Sequence, residues 1–509
     1  MGIEASGCSR TRRRAARASP IAGNSPVNDV RDPYDVAVVG GGPAGLAAAA
    51  ACARLGLATV LLDEQAALGG QIYRGVTASP LRTAGILDDD YWRGAELVQA
   101  FRVSGATYVP EAAVWAVTKR GDELYDVGLS RGAAGARQAQ FLAARAVIVA
   151  VGAQERPFPI PGWTLPGVIT VGGAQVLLKT SALAPAGRTV IAGCGPLLWL
   201  LATQYARAGV KVEALLDTTP RGRYAEAASH ALGFLTSDYF AKGLRLLREV
   251  RASVRIVEHV TALAVEGRDA VEGVRYEANG VASTLPADML LLHQGVVPSV
   301  NLTVAMGCDH RWNDMQACFE PVQDAWGGTS LANVFVAGDA GGVVGAEASE
   351  VRGRLAALAV ANALGRIDAR TRDAEALEPR RALARALRGR RFFDTLYRPP
   401  DAFRRPQGDT IVCRCEEVTA AQIADAARRG CTGPNQMKAF LRCGMGPCQG
   451  RFCGLTVTEL IARERGVSPA AVGHYRQRFP VTPLALGELA ALPSTPEAEA
   501  AVVRTSGTH

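Results

Sequence analysis

From residue 34 the chain alternates apolar runs of strand length with small-residue stretches of helical length, in the segment YDVAVVGGGPAGLAAAAACARLGLATVLLDEQAALGGQIYR. The pattern predicts a buried strand over Asp35–Val39, a helix over Pro43–Leu55 and a second strand over Thr59–Leu62. Between strand and helix stand Gly40, Gly42 and Gly45 in G-x-G-x-x-G spacing. The first allows a tight turn, the second lets backbone approach a pyrophosphate, and the third lets helix pack closely on strand, so that phosphates meet the helix N-terminus. The second strand delivers Asp63, with Glu64 as second choice, where a ribose-binding carboxylate is expected about 20 residues on. Strand, turn, helix, strand and acid in this order predict a bound dinucleotide.

The same rhythm returns in RTVIAGCGPLLWLLATQYARAGVKVEALLD, which ends in Asp217. This second unit keeps Gly193 and Gly195 but carries Leu198 at the third glycine position. A leucine there is expected to push the helix off its strand and distort the pyrophosphate cradle, leaving either a packing domain or a site for a non-redox nucleotide. Were a nicotinamide cofactor bound, Asp217 would favour NAD over NADP. Cys194 stands without a C-x-x-C partner, and His293, in LLHQGVVPSVNL, reads as a satisfied structural histidine at a domain junction. From Gly338 a glycine-rich turn opens a long small-residue helix whose N-terminal dipole suits an electron-rich ligand. Residues 76–145 mix short helical and strand patterns and read as an insertion. An Arg/Ala-rich helical stretch, 366–392, followed by Arg398, Pro399 and Pro400, reads as a linker with a solvated charged face.

A length of 509 residues is too great for one core and suggests about three domains. No run of about 18 uncharged apolar residues occurs, so no transmembrane segment is expected. The net charge of +8 comes from dispersed arginines without an aromatic-basic stripe, which argues against nucleic acid. Residues 1–33 combine RTRRRAARAS with Ser, Pro and Asn and lack an apolar core, so they fail as a secretory signal and read as a disordered basic tail of a cytoplasmic protein.

Of 11 cysteines, Cys413, Cys415, Cys431, Cys443, Cys448 and Cys453 crowd into one stretch, which in a reducing compartment argues for metal. Cys413-x-Cys415 and Cys448-x4-Cys453 supply four thiolates, suited to iron–sulfur or to zinc. Zinc knuckles prefer C-x2–4-C at both ends, so the C-x-C pair leans mildly to iron. Cys443 directly precedes GMGPC, so spacing does not force the set.

Several motifs carry a resemblance. GGQIYR (Gly69–Arg74), AVIVAVGAQERPFPIPG (Ala146–Gly162) and VFVAGD (Val334–Asp339) resemble the FAD signatures of the two-dinucleotide flavoprotein family. The likeness implies an α/β fold of nested Rossmann units: an FAD domain over 34–162 and 300–365, and an NAD-like domain over 163–299. It implies that FAD is held by Gly40, Gly42, Pro43, Ala44, Gly45, Asp63, Glu64, Gly70, Gln71, Gly152, Gly338, Asp339 and Ala346, with Asp339 on the flavin ribitol. CRCE, the helix pair after it and GMGPCQGRFC resemble the [2Fe-2S] domain related to bacterioferritin-associated ferredoxin. That implies a small helical cluster domain over 408–475, with Cys413, Cys415, Cys448 and Cys453 as ligands and 476–509 as an extension.

The whole span from 34 to about 490, including YRQRFPVTPLALGELA, resembles the alpha (A) subunits of hetero-oligomeric amine dehydrogenases such as opine oxidase, D-hydroxyproline dehydrogenase and dye-linked proline dehydrogenase, and the B subunit of hydrogen cyanide synthase. The resemblance implies an electron-transfer subunit whose FAD-containing, glycine-oxidase-like beta partner oxidises a carbon–nitrogen bond. It leaves open a small third subunit, an FMN shared with the partner and peripheral coupling to membrane quinones. The competing readings are a self-sufficient NAD(P)H-dependent reductase and a cluster-bearing scaffold.

Overall fold

A computed structural model describes residues 33–132 and 137–492. The basic tail and the last residues of the C-terminal extension lie outside the described residues. The first apolar run is strand β1 (Tyr34–Val39), and helix α1 (Pro43–Arg54) follows it. It leads into β2 (Thr59–Leu62), which lies parallel to β1 with Val38 opposite Leu61. Three all-buried positions of β1, Val36 to Val38, explain the unbroken apolar reading, because helices cover one face of the sheet and further apolar side chains the other.

The stretch read as an insertion is part of this same sheet. It supplies β3 (Thr107–Val109), β4 (Ala112–Arg120), β5 (Leu124–Arg131) and the long β6 (Gln138–Val149), in spatial order β3-β2-β1-β6-β5-β4. The strands β4, β5 and β6 form an antiparallel meander, and the last part of β6 returns alongside β1. The strand Val334–Val336 joins β6 from the far end of the sequence, so the sheet closes around a chain that has left and come back.

Between those visits lies the second unit, a five-stranded parallel sheet with Thr189–Cys194 flanked by Val212–Asp217 and Met289–Gln294. The two crossings between the units, Ala153–Glu155 and Val296–Pro298, pair as a two-stranded antiparallel ribbon. The charged stretch read as a linker folds into helices Ala369–Glu375, Leu377–Ala386 and Arg390–Leu396 that are packed down. The guanidinium groups of Arg372 and Arg380 each lie 4.4 Å from the Trp326 ring centroid, and Phe392 stacks on Phe234 of the second unit at 4.3 Å. The cysteine-rich module has its own small core of Val412, Ile423, Met437, Val457, Leu460 and Tyr475, all buried.

Candidate functional site

The glycine fingerprint turns on one close approach. A side-chain carbon on Gly45 would lie 1.8 Å from the Gly40 carbonyl oxygen, so only glycine lets α1 sit down on its strand. No side chain caps α1 and no acid lies in its first turn, which leaves its N-terminal N–H groups for an anion. These groups border a cleft of 1690 Å3, larger than the roughly 300–1,000 Å3 of ordinary small-molecule sites and so of a size for a dinucleotide. Gly40, Gly42, Pro43, Ala44, Asp63, Glu64, Gly70, Gln71, Gly152, Asp339 and Ala346 all line it. Gly45 and Gly338 stand behind its wall and act through packing.

The two acids divide their work. Asp63, buried at the end of β2, accepts the N–H of Gly41 through one oxygen and that of Gln65 through the other at 2.7 Å, so it fastens the glycine turn. Burial lifts its carboxyl above the usual range, against the pull of those N–H groups. Glu64 is exposed on the cleft rim, the freer carboxylate of the two. Across the cleft, Asp339 uses Oδ1 to accept the N–H groups of Val344 at 2.7 Å and Gly345 at 3.0 Å and the hydroxyl of Ser349 at 3.2 Å. That carboxylate shapes the turn that aims the helix Ala346–Ala363 at the cleft.

The second unit forms despite Leu198, whose side chain is fully buried where Gly45 tolerates no side chain. The place that a side chain cannot enter in the first unit is thus filled by one in the second. Asp217 is buried and turned to its own loop, where Oδ1 accepts the N–H of Thr219 at 2.9 Å and its hydroxyl at 2.6 Å. His293 is buried, and Nδ1 shares a hydrogen bond with Glu155 at 2.7 Å, so it is satisfied as predicted while also lining the cleft. At the seam between the units Lys179 is buried, its Nζ donating to Gln175 Oε1 at 2.7 Å and the Ile72 carbonyl at 3.0 Å. Burial presses its ammonium down to about 7, and Arg74 adds to the shift.

The cysteines divide into two groups. Cys413, Cys443 and Cys453, all buried, place their sulfurs within 4.8 Å of one another. Cys415, exposed, has Cys448, half-buried, beside it. The structure thus joins two of the expected ligands, Cys413 and Cys453, to Cys443, and pairs the other two separately; Cys431 stays apart, its thiol turned to the Gly433 carbonyl. Donation from Cys443 and Cys453 holds the Cys413 thiol far below its usual range and raises the two donors. Three buried sulfurs can all ionise only against a cation, so the chemistry of this donor set fits a thiolate-bound metal or cluster.

The module is seated directly on the cleft, a contact the sequence did not show. Gln154 Nε2 donates to the Arg451 carbonyl at 2.9 Å, and Arg451 reaches the carbonyls of Cys448 at 3.3 Å and Val481 at 2.8 Å. Trp163 Nε1 donates to the Ile411 carbonyl at 2.7 Å. Arg414, Arg451 and Phe452 line the same cleft as the glycine turn. A buried ion pair between Arg404 and Glu459 ties the helix after Cys453 to the connector.

Residues 34–363 match the pyridine nucleotide-disulphide oxidoreductase family, and residues 407–492 match the sarcosine oxidase A3 domain. The chain belongs to this oxidoreductase family. More particularly, it is 46% identical to an opine oxidase subunit of Rhizobium meliloti over 480 residues, 94% of this chain and 91% of that one. It is 31% identical to hydrogen cyanide synthase subunit HcnB of Pseudomonas protegens over 473 residues, 88% of this chain and 95% of the relative. In fold it is similar to the solved L-proline dehydrogenase from P. horikoshii, with a TM-score of 0.64 and 20% identity over 90% of this chain and 79% of that one. It is a flavin oxidoreductase subunit, of a kind whose relatives are subunits of larger enzymes. No helix among the described residues is long and apolar enough to cross a membrane.

Proposed function

We propose that this chain is the electron-transfer subunit of a multi-subunit dehydrogenase or oxidase acting on an amino acid, imino acid or opine. FAD occupies the cleft of the first unit and a [2Fe-2S] cluster the cysteine module, while a partner flavoprotein oxidises the carbon–nitrogen bond. The observation that carries this reading is the seating of the cysteine module on the cleft, through Gln154 and Arg451. Flavin takes electrons in pairs and an iron–sulfur cluster passes them singly, so adjacent sites for the two suit a relay.

The residues of this chain supply the frame for that relay. The N-terminus of α1 and the Gly42–Gly70 contact receive the pyrophosphate, Glu64 on the cleft rim takes the ribose, and Asp339 orders the turn beneath the ribitol. Four of Cys413, Cys415, Cys443, Cys448 and Cys453 hold the cluster, Cys413 and Cys453 belonging to both the sequence quartet and the sulfur triad.

The test is to purify the chain anaerobically and count flavin, iron, sulfide and zinc, then repeat with Cys448→Ser and Cys443→Ser. Stoichiometric FAD with two irons and two sulfides is expected. Loss of the cluster in C448S with flavin retained supports the quartet, and loss in C443S instead supports the triad. Zinc in place of iron contradicts the relay. Assayed with a dye acceptor on proline, hydroxyproline, opines and glycine, the lone chain should be inactive and the complex with its partner active.

A further inference from the structure

Tyr475 is fully buried at the floor of the cysteine module, where its hydroxyl has no partner in good hydrogen-bond geometry. A buried hydroxyl left so is costly and calls for an acceptor that the protein alone does not provide. It packs in one buried cluster with Cys443 and Cys453, whose sulfurs lie near its hydroxyl. As thiols these are weak acceptors, whereas as metal-bound thiolates they carry charge and accept well.

The ring is held in place from every side. Side-chain carbons on Gly444, Gly450 and Gly454 would lie 2.6, 2.7 and 3.3 Å from its atoms, so the cysteine loop is moulded against it. Lys438 Nζ lies 5.1 Å from the ring centroid and donates to the Arg476 carbonyl at 3.0 Å. Asn435 Oδ1 accepts the Arg476 N–H at 2.7 Å, which pins the segment that carries the tyrosine. The hydroxyl therefore has little freedom to turn elsewhere.

We propose that Tyr475 is a positioning residue that donates its O–H to a ligand thiolate of the cysteine centre and raises the centre's reduction potential. A donor to sulfur draws off negative charge and favours the reduced state, which carries one more electron. On reduction the centre gains one electron from the flavin side, no bond is made or broken, and the proton stays on the tyrosine oxygen. This inference rests on the proposed reading that the centre holds an iron–sulfur cluster.

Tyr475→Phe keeps the ring and removes the donor. Wild type and Y475F should bind iron and sulfide equally, while the potential of the variant, followed by electron paramagnetic resonance in a dye-mediated titration, should fall. The expected change is about tenfold in the one-electron equilibrium, 59 mV. A second measurement needs no variant: the iron–sulfur stretching bands of the wild-type protein should shift when it is exchanged into deuterated water. Equal potentials with no deuterium shift overturn the role of Tyr475 and leave the relay standing. A wild-type protein without iron overturns the relay, and this inference with it.

Discussion

The two Rossmann units of this chain share one plan and differ at one contact. In the first, Gly45 lets the helix approach so closely that an added carbon would lie 1.8 Å from backbone; in the second, Leu198 fills the equivalent place and is itself wholly buried. The acids differ in the same sense. Both aspartates accept the N–H two residues on, but Asp63 and Glu64 line the cleft and Asp217 does not. The first unit has the glycine contact of a nucleotide cradle, and the glycine turn of the second closes a wall of the same cleft. A strand–turn–helix reading of sequence therefore gives the shape of both units, and the third glycine position is where they differ.

Making the first unit like the second should have the largest effect. In Gly45→Leu the clash is with backbone, which cannot move aside, so the penalty should exceed the roughly 1–3 kcal/mol of ordinary overpacking. Flavin content after purification checks this, and a soluble G45L with full flavin would break the comparison. The reverse change, Leu198→Gly, should cost about 3–5 kcal/mol, since it empties a buried site and places glycine in a helix. Thermal denaturation should show the loss, with flavin still bound by the first unit and no new reactivity towards NADH.

A smaller effect should appear at the seam. The ammonium of Lys179 titrates near 7 when folded, well below its value in the unfolded chain. Between those values the unfolded state binds more protons, so stability should rise with pH from about 7 upward, and the cost of the buried charge is complete below about 7. Lys179→Met should flatten that slope and raise stability at neutral pH by ~1 kcal/mol, read from melting temperatures across a pH series. An unchanged slope would remove Lys179 as its source.

The order β1, α1, β2 and the helix from Ala346 were legible because each is set by local period and by glycine spacing. The strands β4 and β5 were not, since their apolar positions make sense only beside β6 in a mixed sheet. Contacts between distant segments were hidden as well: Gln154 with Arg451, and Tyr475 beneath Cys443 and Cys453. Cys443 stood in plain view before GMGPC, but spacing along the chain does not say which sulfurs meet in space. The connector's charged face is largely exposed, as its composition indicates, but that two of its arginines sit over Trp326 was not legible from it.

The central claim is that electrons reach this chain from a partner and not from a nicotinamide cofactor bound by the second unit. Anaerobic rapid mixing of the purified, flavin-loaded chain with NADH, and separately with NADPH, tests it most directly. The flavin absorbance should stay in its oxidised form with either one, while substrate added to the complex with the partner bleaches it. Rapid bleaching of the lone chain by NADH or NADPH would show a working nicotinamide site beside Leu198 and contradict the account.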